Sequence, residues 1–294
     1  MSTSTAGRVA DTTHSKYQVR IRASQTWLDF DLAGLWEFRD LFFLLVRRDF
    51  VVKYKQTILG PLWFLIQPLL TTAVFTIIFS RVAGLSTDGA PPVLFYLAGT
   101  TIWNYVSQTV NVTGNTFSFN EHIFTRVFFP RLVVPVAVAC SNLLALGVQL
   151  ITLLGFTIYY KIQGNPFEPR IILGLCLVPL LILQSVVLSL ACGLFLSAIT
   201  AKYRDLTHIL PFLLQLWMYA SPVIYSASHI PEGFRWIVYL NPVASIIENF
   251  KSLFLGTPPA SFQEMLCSIL MTLFFLFVGL ILFRRTERTF ADVV

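Results

Sequence analysis

The chain is poor in charge: Asp, Glu, Lys and Arg make up 12% of its 294 residues, where soluble domains carry roughly 25%. A water-facing surface cannot be built from so few charges, which excludes a soluble globule. With 55% hydrophobic residues and a mean hydropathy of +0.70, a disordered chain is excluded too, because one this apolar does not stay solvated. Cysteine is equally scarce. Cys140, Cys176, Cys192 and Cys267 sit in apolar runs with no CxxC pair, which argues against a disulfide scaffold and a metal site; they read as small buried apolar residues. The four histidines lie far apart, and none has a carboxylate at helical spacing that would make a metal pair. Phosphate-loop, dinucleotide, zinc-protease and nucleophile-elbow motifs are all missing. The chain is therefore expected to be no enzyme, with no metal or cofactor of its own. What remains is an all-α integral membrane protein.

Stretches free of acidic and basic residues, near the ~20 apolar residues that a spanning helix needs, run over 61–80, 93–112, 132–160, 171–201, 206–226 and 265–283. They predict six transmembrane helices. The first thirty residues are polar and lack an apolar core, so no cleavable signal peptide is expected; 1–34 and 284–294 read as cytoplasmic tails. With the N-terminus inside, sixteen of the 21 basic residues face the cytoplasm and five face out, which places both termini in the cytoplasm. The net charge of +6 follows from this bias. Its residues lie between apolar runs rather than on one solvated face, so nucleic acid is not an expected partner. The Asn111-Val112-Thr113 sequon then falls near the inner face and is set aside. None of the 36 ionisable Asp, Glu, Lys and Arg residues lies within a span, whereas ion-coupled carriers usually keep such groups at the midplane. This weighs against an ion-coupled carrier, and the energy for any transport is expected to come from a partner.

Two segments fit neither span nor simple loop. Residues 35–59 mix apolar side chains with Arg47, Arg48, Lys53 and Lys55; their partial amphipathicity suits a helix lying in the cytoplasmic interface with Trp36 at headgroup depth. Residues 230–256 hold apolar pieces interrupted by Glu232, Arg235, Asn241-Pro242, Glu248 and Lys251. No piece is long enough to span, so two short helices re-entering the outer leaflet are expected, where irregular backbone needs protein or water around it.

Three strings then stand out: RRDFVVKYKQTILGPLWFLIQPLL from Arg47, NEHIFTRVFFPRLVVP from Asn120, and the pair YRDLTHILPFLLQLWMYASPVIY from Tyr203 and YLNPVASIIENFKSLFLG from Tyr239. In this order they resemble the permease subunit of ATP-binding-cassette exporters of polysaccharides, the ABC-2 family that includes O-antigen, capsule and teichoic-acid transporters. The resemblance covers roughly residues 35 to 285 and agrees with the six spans read independently. It implies a homodimer of permeases with a channel between them, and two separate ATPase subunits that carry ATP and Mg. The cargo it implies is a lipid-linked polysaccharide, moved out across a bacterial inner membrane.

The resemblance also assigns roles. The inner loop with Glu121, His122, Arg126, Phe128, Phe129, Pro130 and Arg131 becomes a coupling helix docking on the ATPase, its two phenylalanines filling an apolar groove on that partner; an ordinary basic inner loop is the plainer alternative. The Leu59-Gly60 turn becomes part of the gate through which the substrate headgroup enters, or else a simple junction in which Gly supplies freedom and Pro61 starts a helix. Arg47, Arg48, Lys53 and Lys55 can hold the diphosphate of the lipid carrier or only attract anionic membrane lipid. A sugar ring can lie its C–H face on an aromatic ring and slide, because such contacts are weak and non-directional. Trp63, Phe64, Tyr96, Trp103, Tyr105, Trp217, Tyr219 and Tyr225 are the channel candidates, although Trp and Tyr gather at membrane interfaces in any case. An ABC-2 permease for drugs or other lipids, a membrane-embedded enzyme of glycan assembly and a non-catalytic scaffold of that assembly stay open as rivals.

Overall fold

The computed structural model describes residues 36–55, 57–124 and 129–293; the expected tail over 1–34 lies outside them. Among the described residues every regular element is helical. Helix α1 spans Arg39–Tyr54. A 3₁₀ turn over Gly60–Leu62, with Gly60 at φ +50°, leads into α2, Trp63–Phe75. Helix α2 runs on as a π-helical stretch over Thr76–Val82. Then come α3 (Pro92–Gly114), the single turns α4 (Thr116–Phe119) and α5 (Glu121–Phe124), α6 (Val133–Ile162) and α7 (Ile171–Lys202). Helix α8 spans Leu206–Tyr219; after 3₁₀ turns at Ala227–His229 and Glu232–Phe234 follow α9 (Arg235–Leu240), α10 (Pro242–Leu255) and α11 (Phe262–Val293).

Helix α3 is the central pillar, packed by α2, α6, α7, α8 and α10. Its residues from Leu94 to Trp103 are all buried. Helices α7 and α11 form the most extensive pairing, because Gly279 lets them approach so closely that a Cβ there would lie 2.6 Å from the Ala191 carbonyl oxygen. Side chains facing away from the bundle are apolar, Ile151, Leu175, Leu183 and Phe277 among them. Such a surface suits lipid rather than water, and the chain is a multi-pass helical membrane protein.

Among the described residues four stretches are long and apolar enough to cross a membrane: Gly60–Val82, Val133–Ile162, Ile172–Lys202 and Phe262–Arg288. The other two expected spans differ from them in informative ways. Helix α3 has 23 residues, about 34 Å at 1.5 Å each, but carries Asn104, Ser107, Gln108 and Asn111. Helix α8 has only 14 residues, about 21 Å, and the expected span over 206–226 stops at Tyr219. Pro222 has no N–H with which to continue the helix, and Asn241 takes over the freed groups: its Nδ2 donates to the Ala220 carbonyl at 3.2 Å and to Ser221 Oγ at 2.8 Å. The expected C-terminal tail is likewise not separate, since α11 passes through 284–293 with no glycine or proline to stop it.

Candidate functional site

A groove of about 300 Å³ opens between α2, α3 and α6. Helix α2 contributes Trp63, Phe64, Gln67 and Thr71, α3 contributes Asn104, Tyr105, Ser107 and Gln108, and α6 contributes Asn142, Leu146 and Gln149. The spacing explains the convergence. Residues 104, 107 and 108 share one face of α3, and 142 and 149 are seven apart on α6, two turns along one stripe. Asn142 is held in place by donating its Nδ2 to Thr109 Oγ1 at 3.1 Å. Tyr105, buried at 3% exposure, donates its hydroxyl to the Ala139 carbonyl at 3.2 Å. Gln149 is 7% exposed and its Oε1 has no hydrogen-bond partner. Among the described residues no charged side chain lines the groove, and those that do offer hydrogen bonds and ring faces but no counter-charge.

Three of the eight aromatics singled out in the sequence, Trp63, Phe64 and Tyr105, meet at this groove. The others are placed elsewhere. Trp103 and the half-buried Trp217 meet edge to face at 5.8 Å between α3 and α8, with Trp217 Nε1 donating to Asn241 Oδ1 at 3.0 Å. Tyr96 is fully buried against Phe75 and Phe95. Tyr225 packs on the core, and Tyr219 is exposed beside Gln215.

Helix α1 reaches the groove's edge, where Phe50 stacks on Phe64 at 6.3 Å. Of the expected headgroup residues, Arg47 and Lys55 are exposed, as is Leu59 beside the half-buried Gly60. Arg48 pairs with its neighbour Asp49 at 2.9 Å. Nothing is described of the Lys53 side chain.

Within the loop expected to couple, Arg126 and Phe128 lie outside the described residues. Glu121 pairs with Arg204 at 3.3 Å, and His122 is exposed. Pro130 is half-buried, and Arg131 crosses to the end of α11: its backbone N–H donates to Glu287 Oε1 at 3.3 Å and its Nη1 donates to the Glu287 carbonyl at 2.7 Å. Phe129 requires a correction. It is 6% exposed and packs with Phe124, inside a cluster that includes Leu45, Phe117 and Phe283. It therefore fills this chain's own core rather than a groove on a partner.

At the opposite end of α3, Lys251 on α10 is 3% exposed. Its Nζ donates to the carbonyls of Pro222 at 2.6 Å and Val223 at 3.2 Å, and lies 3.5 Å from the centre of the Phe95 ring. The sequence placed this lysine in a segment re-entering the outer leaflet, with no partner assigned to it. The break after α8 exposes carbonyls that a cation can satisfy, and that pairing could not be read along the chain. Glu287, Arg204, Asn241 and the groove amides were also missed. Only the amides left a signal, as uncharged polar residues recurring at helical spacing in a span.

Residues 40–255 match the family described as ABC-2 type transporter. Over 261 residues the chain is 28% identical to the O-antigen export system permease protein RfbA of Klebsiella pneumoniae, covering 87% of this chain and 95% of the relative. A second Klebsiella pneumoniae protein of that name is 26% identical over 262 residues, with the same coverage of each chain. The Myxococcus xanthus protein of that name is 29% identical over 222 residues, 75% of this chain and 82% of the relative.

Proposed function

Because the chain belongs to the ABC-2 type transporter family, we propose that it is the permease subunit of an exporter that moves a lipid-linked polysaccharide of the O-antigen type out of the cytoplasm. The family makes it a transporter membrane subunit, not itself an enzyme, working with an ATP-binding-cassette ATPase. In this reading ATP and Mg sit on that ATPase, two permease copies face each other, and the complex resides in a bacterial inner membrane with both termini in the cytoplasm. Helix α3 is then the second span, and α8 with residues 220–226 makes the fifth. Helices α9 and α10 re-enter from the outer side. The segment from Glu121 to Arg131 meets the ATPase, and Arg131 passes its displacement to α11 through Glu287.

The observation that carries this reading is the groove. A membrane bundle that lines one cleft with amides and aromatic rings, Tyr105, Asn142 and Gln149 among them buried, is equipped for a neutral, hydroxyl-rich cargo, and a purely apolar cargo would leave the buried Gln149 oxygen unsatisfied. Likeness to proteins named for O-antigen export over nearly the whole chain agrees with it. The test is purification of the complex with an ATPase partner unable to hydrolyse ATP. A glycan-bearing lipid should copurify; a lipid or drug without sugar copurifying in its place would overturn the polysaccharide reading in favour of another ABC-2 cargo.

A further inference from the structure

Taking the polysaccharide reading as its ground, we propose that the groove between α2, α3 and α6 is a subsite for a single neutral sugar ring of the lipid-linked substrate, and that it excludes the diphosphate. Five amides line it, Gln67, Asn104, Gln108, Asn142 and Gln149, and no side chain among its lining residues carries charge. An anion that reached the buried Tyr105, Asn142 and Gln149 would lose water and meet no cation among the described lining residues, a cost in an apolar bundle. Amides suit vicinal hydroxyls because each offers both a donor and an acceptor. Gln149 makes the demand specific. Its Oε1 is buried and unpartnered on a side chain only 7% exposed, so a turn of that side chain toward the groove brings its acceptor to a hydroxyl, which has a proton to give, and not to an ionised phosphate, which has none.

Shape points the same way. About 300 Å³ lies at the lower end of the ~300–1,000 Å³ of small-molecule sites, enough for one ring and too little for a folded chain. Trp63 and Phe64 stand at the groove beside the amides, so a ring can set its C–H face on an aromatic while its edges meet amide groups. The stacking of Phe50 on Phe64 brings α1, with the exposed Arg47, next to the same groove. Substrate binding is thereby divided: the ring sits between the helices and the charged group stays at the interface.

The experiment uses the full permease–ATPase complex in lipid nanodiscs and two photoreactive probes of equal chain length, an alkyl glucoside and an alkyl diphosphate. The glucoside should label peptides of α2, α3 and α6 around the groove, and excess octyl glucoside should suppress that labelling; the diphosphate should leave these peptides unlabelled. Gln149→Met, of similar volume, should cut groove labelling by the glucoside about tenfold, the effect of losing one well-made hydrogen bond, without lowering the melting temperature. Equal labelling of the groove by both probes, no labelling by the glucoside, or labelling by the glucoside within twofold of wild type in Gln149→Met would each overturn the proposal. Deletion of the gene separates the two levels. Loss of surface polysaccharide alongside an unlabelled groove overturns the subsite alone, whereas intact surface polysaccharide overturns the export reading on which it rests.

Discussion

At the α10 end of the bundle a buried cation is held by backbone carbonyls, whereas at the α1 end carboxylates and guanidinium groups pair across loops beside an aromatic cluster. The two arrangements differ most in solvent access. Lys251 is 3% exposed and its ammonium is saturated by Pro222, Val223 and the Phe95 ring. Arg204 and Glu121 have side-chain exposures of 77% and 42%, a class of pair that contributes only about 0–1 kcal/mol. A buried ammonium cannot leave its carbonyls without an uncompensated charge, but an exposed pair can open and water takes its place. The α10 end is thus built to stay closed, whereas the Glu121–Arg204 pair at the α1 end can open at small cost, as the proposed coupling of that segment to an ATPase requires.

The largest expected effect comes from removing the cation. Lys251→Met should destabilise the protein by about 3 kcal/mol, since two buried carbonyls lose their donor at about 1–3 kcal/mol each. Thermal unfolding in detergent measures this; a loss under about 1 kcal/mol would make Lys251 incidental to that end. Next comes crowding of the same joint. A Cβ at Gly99 would lie 2.9 Å from the Val223 carbonyl and 3.1 Å from Lys251 Cε, so Gly99→Val should cost about 1–3 kcal/mol. In the double variant the two losses should add to less than their sum, because both act on one contact; full additivity would mean that glycine and lysine serve different interfaces.

The α1 end should respond differently. Glu287→Ala removes the acceptor for the Arg131 N–H and should cost only about 1 kcal/mol in stability. The ratio of glycan exported to ATP hydrolysed by the reconstituted complex should nevertheless fall, because the loop's tie to α11 is reduced to the Arg131 Nη1 bond to the backbone carbonyl of residue 287. If stability falls as far as in Lys251→Met while that ratio holds, the contrast between the two ends is wrong.

How much of this was legible depends on what kind of residue carries it. The long helices could be read because lack of charge over ~20 residues has one physical cause, the bilayer. The end of α8 could not, since Ala220 to Ser226 contains no charge and the break comes from Pro222 and from Asn241, twenty residues beyond Ser221. Lys251 read only as an interruption of a re-entrant segment because its ligands lie 28 and 29 residues earlier. Phe129 looked like a plug for a partner because Leu45 and Phe283, with which it clusters, are remote in sequence. Gln149 and Asn104 went unmarked for a plainer reason: amides do not interrupt a charge-free run, and attention to charge passes over them. Their spacing with Asn142, Ser107 and Gln108 was there to be read.

The smallest expected effect tests whether Lys251 or the loop outside it holds the α10 end together. Asp88, in the left-handed region at φ +52°, accepts hydrogen bonds from Ser226 and from Ser228 at 2.9 Å, and lies 3.4 Å from His229 Nδ1. It thereby ties the loop before α3 to the segment after α8. Asp88→Asn keeps a residue type that tolerates this backbone and can still accept from the serines, while removing the charge. His229 is 57% exposed, so the ion pair contributes at most about 1 kcal/mol, and the melting temperature should move by less than about 4 °C. A drop as large as that of Lys251→Met would transfer the fastening from the buried cation to this clasp between loops, and the two ends of the bundle would then be held by the same kind of contact.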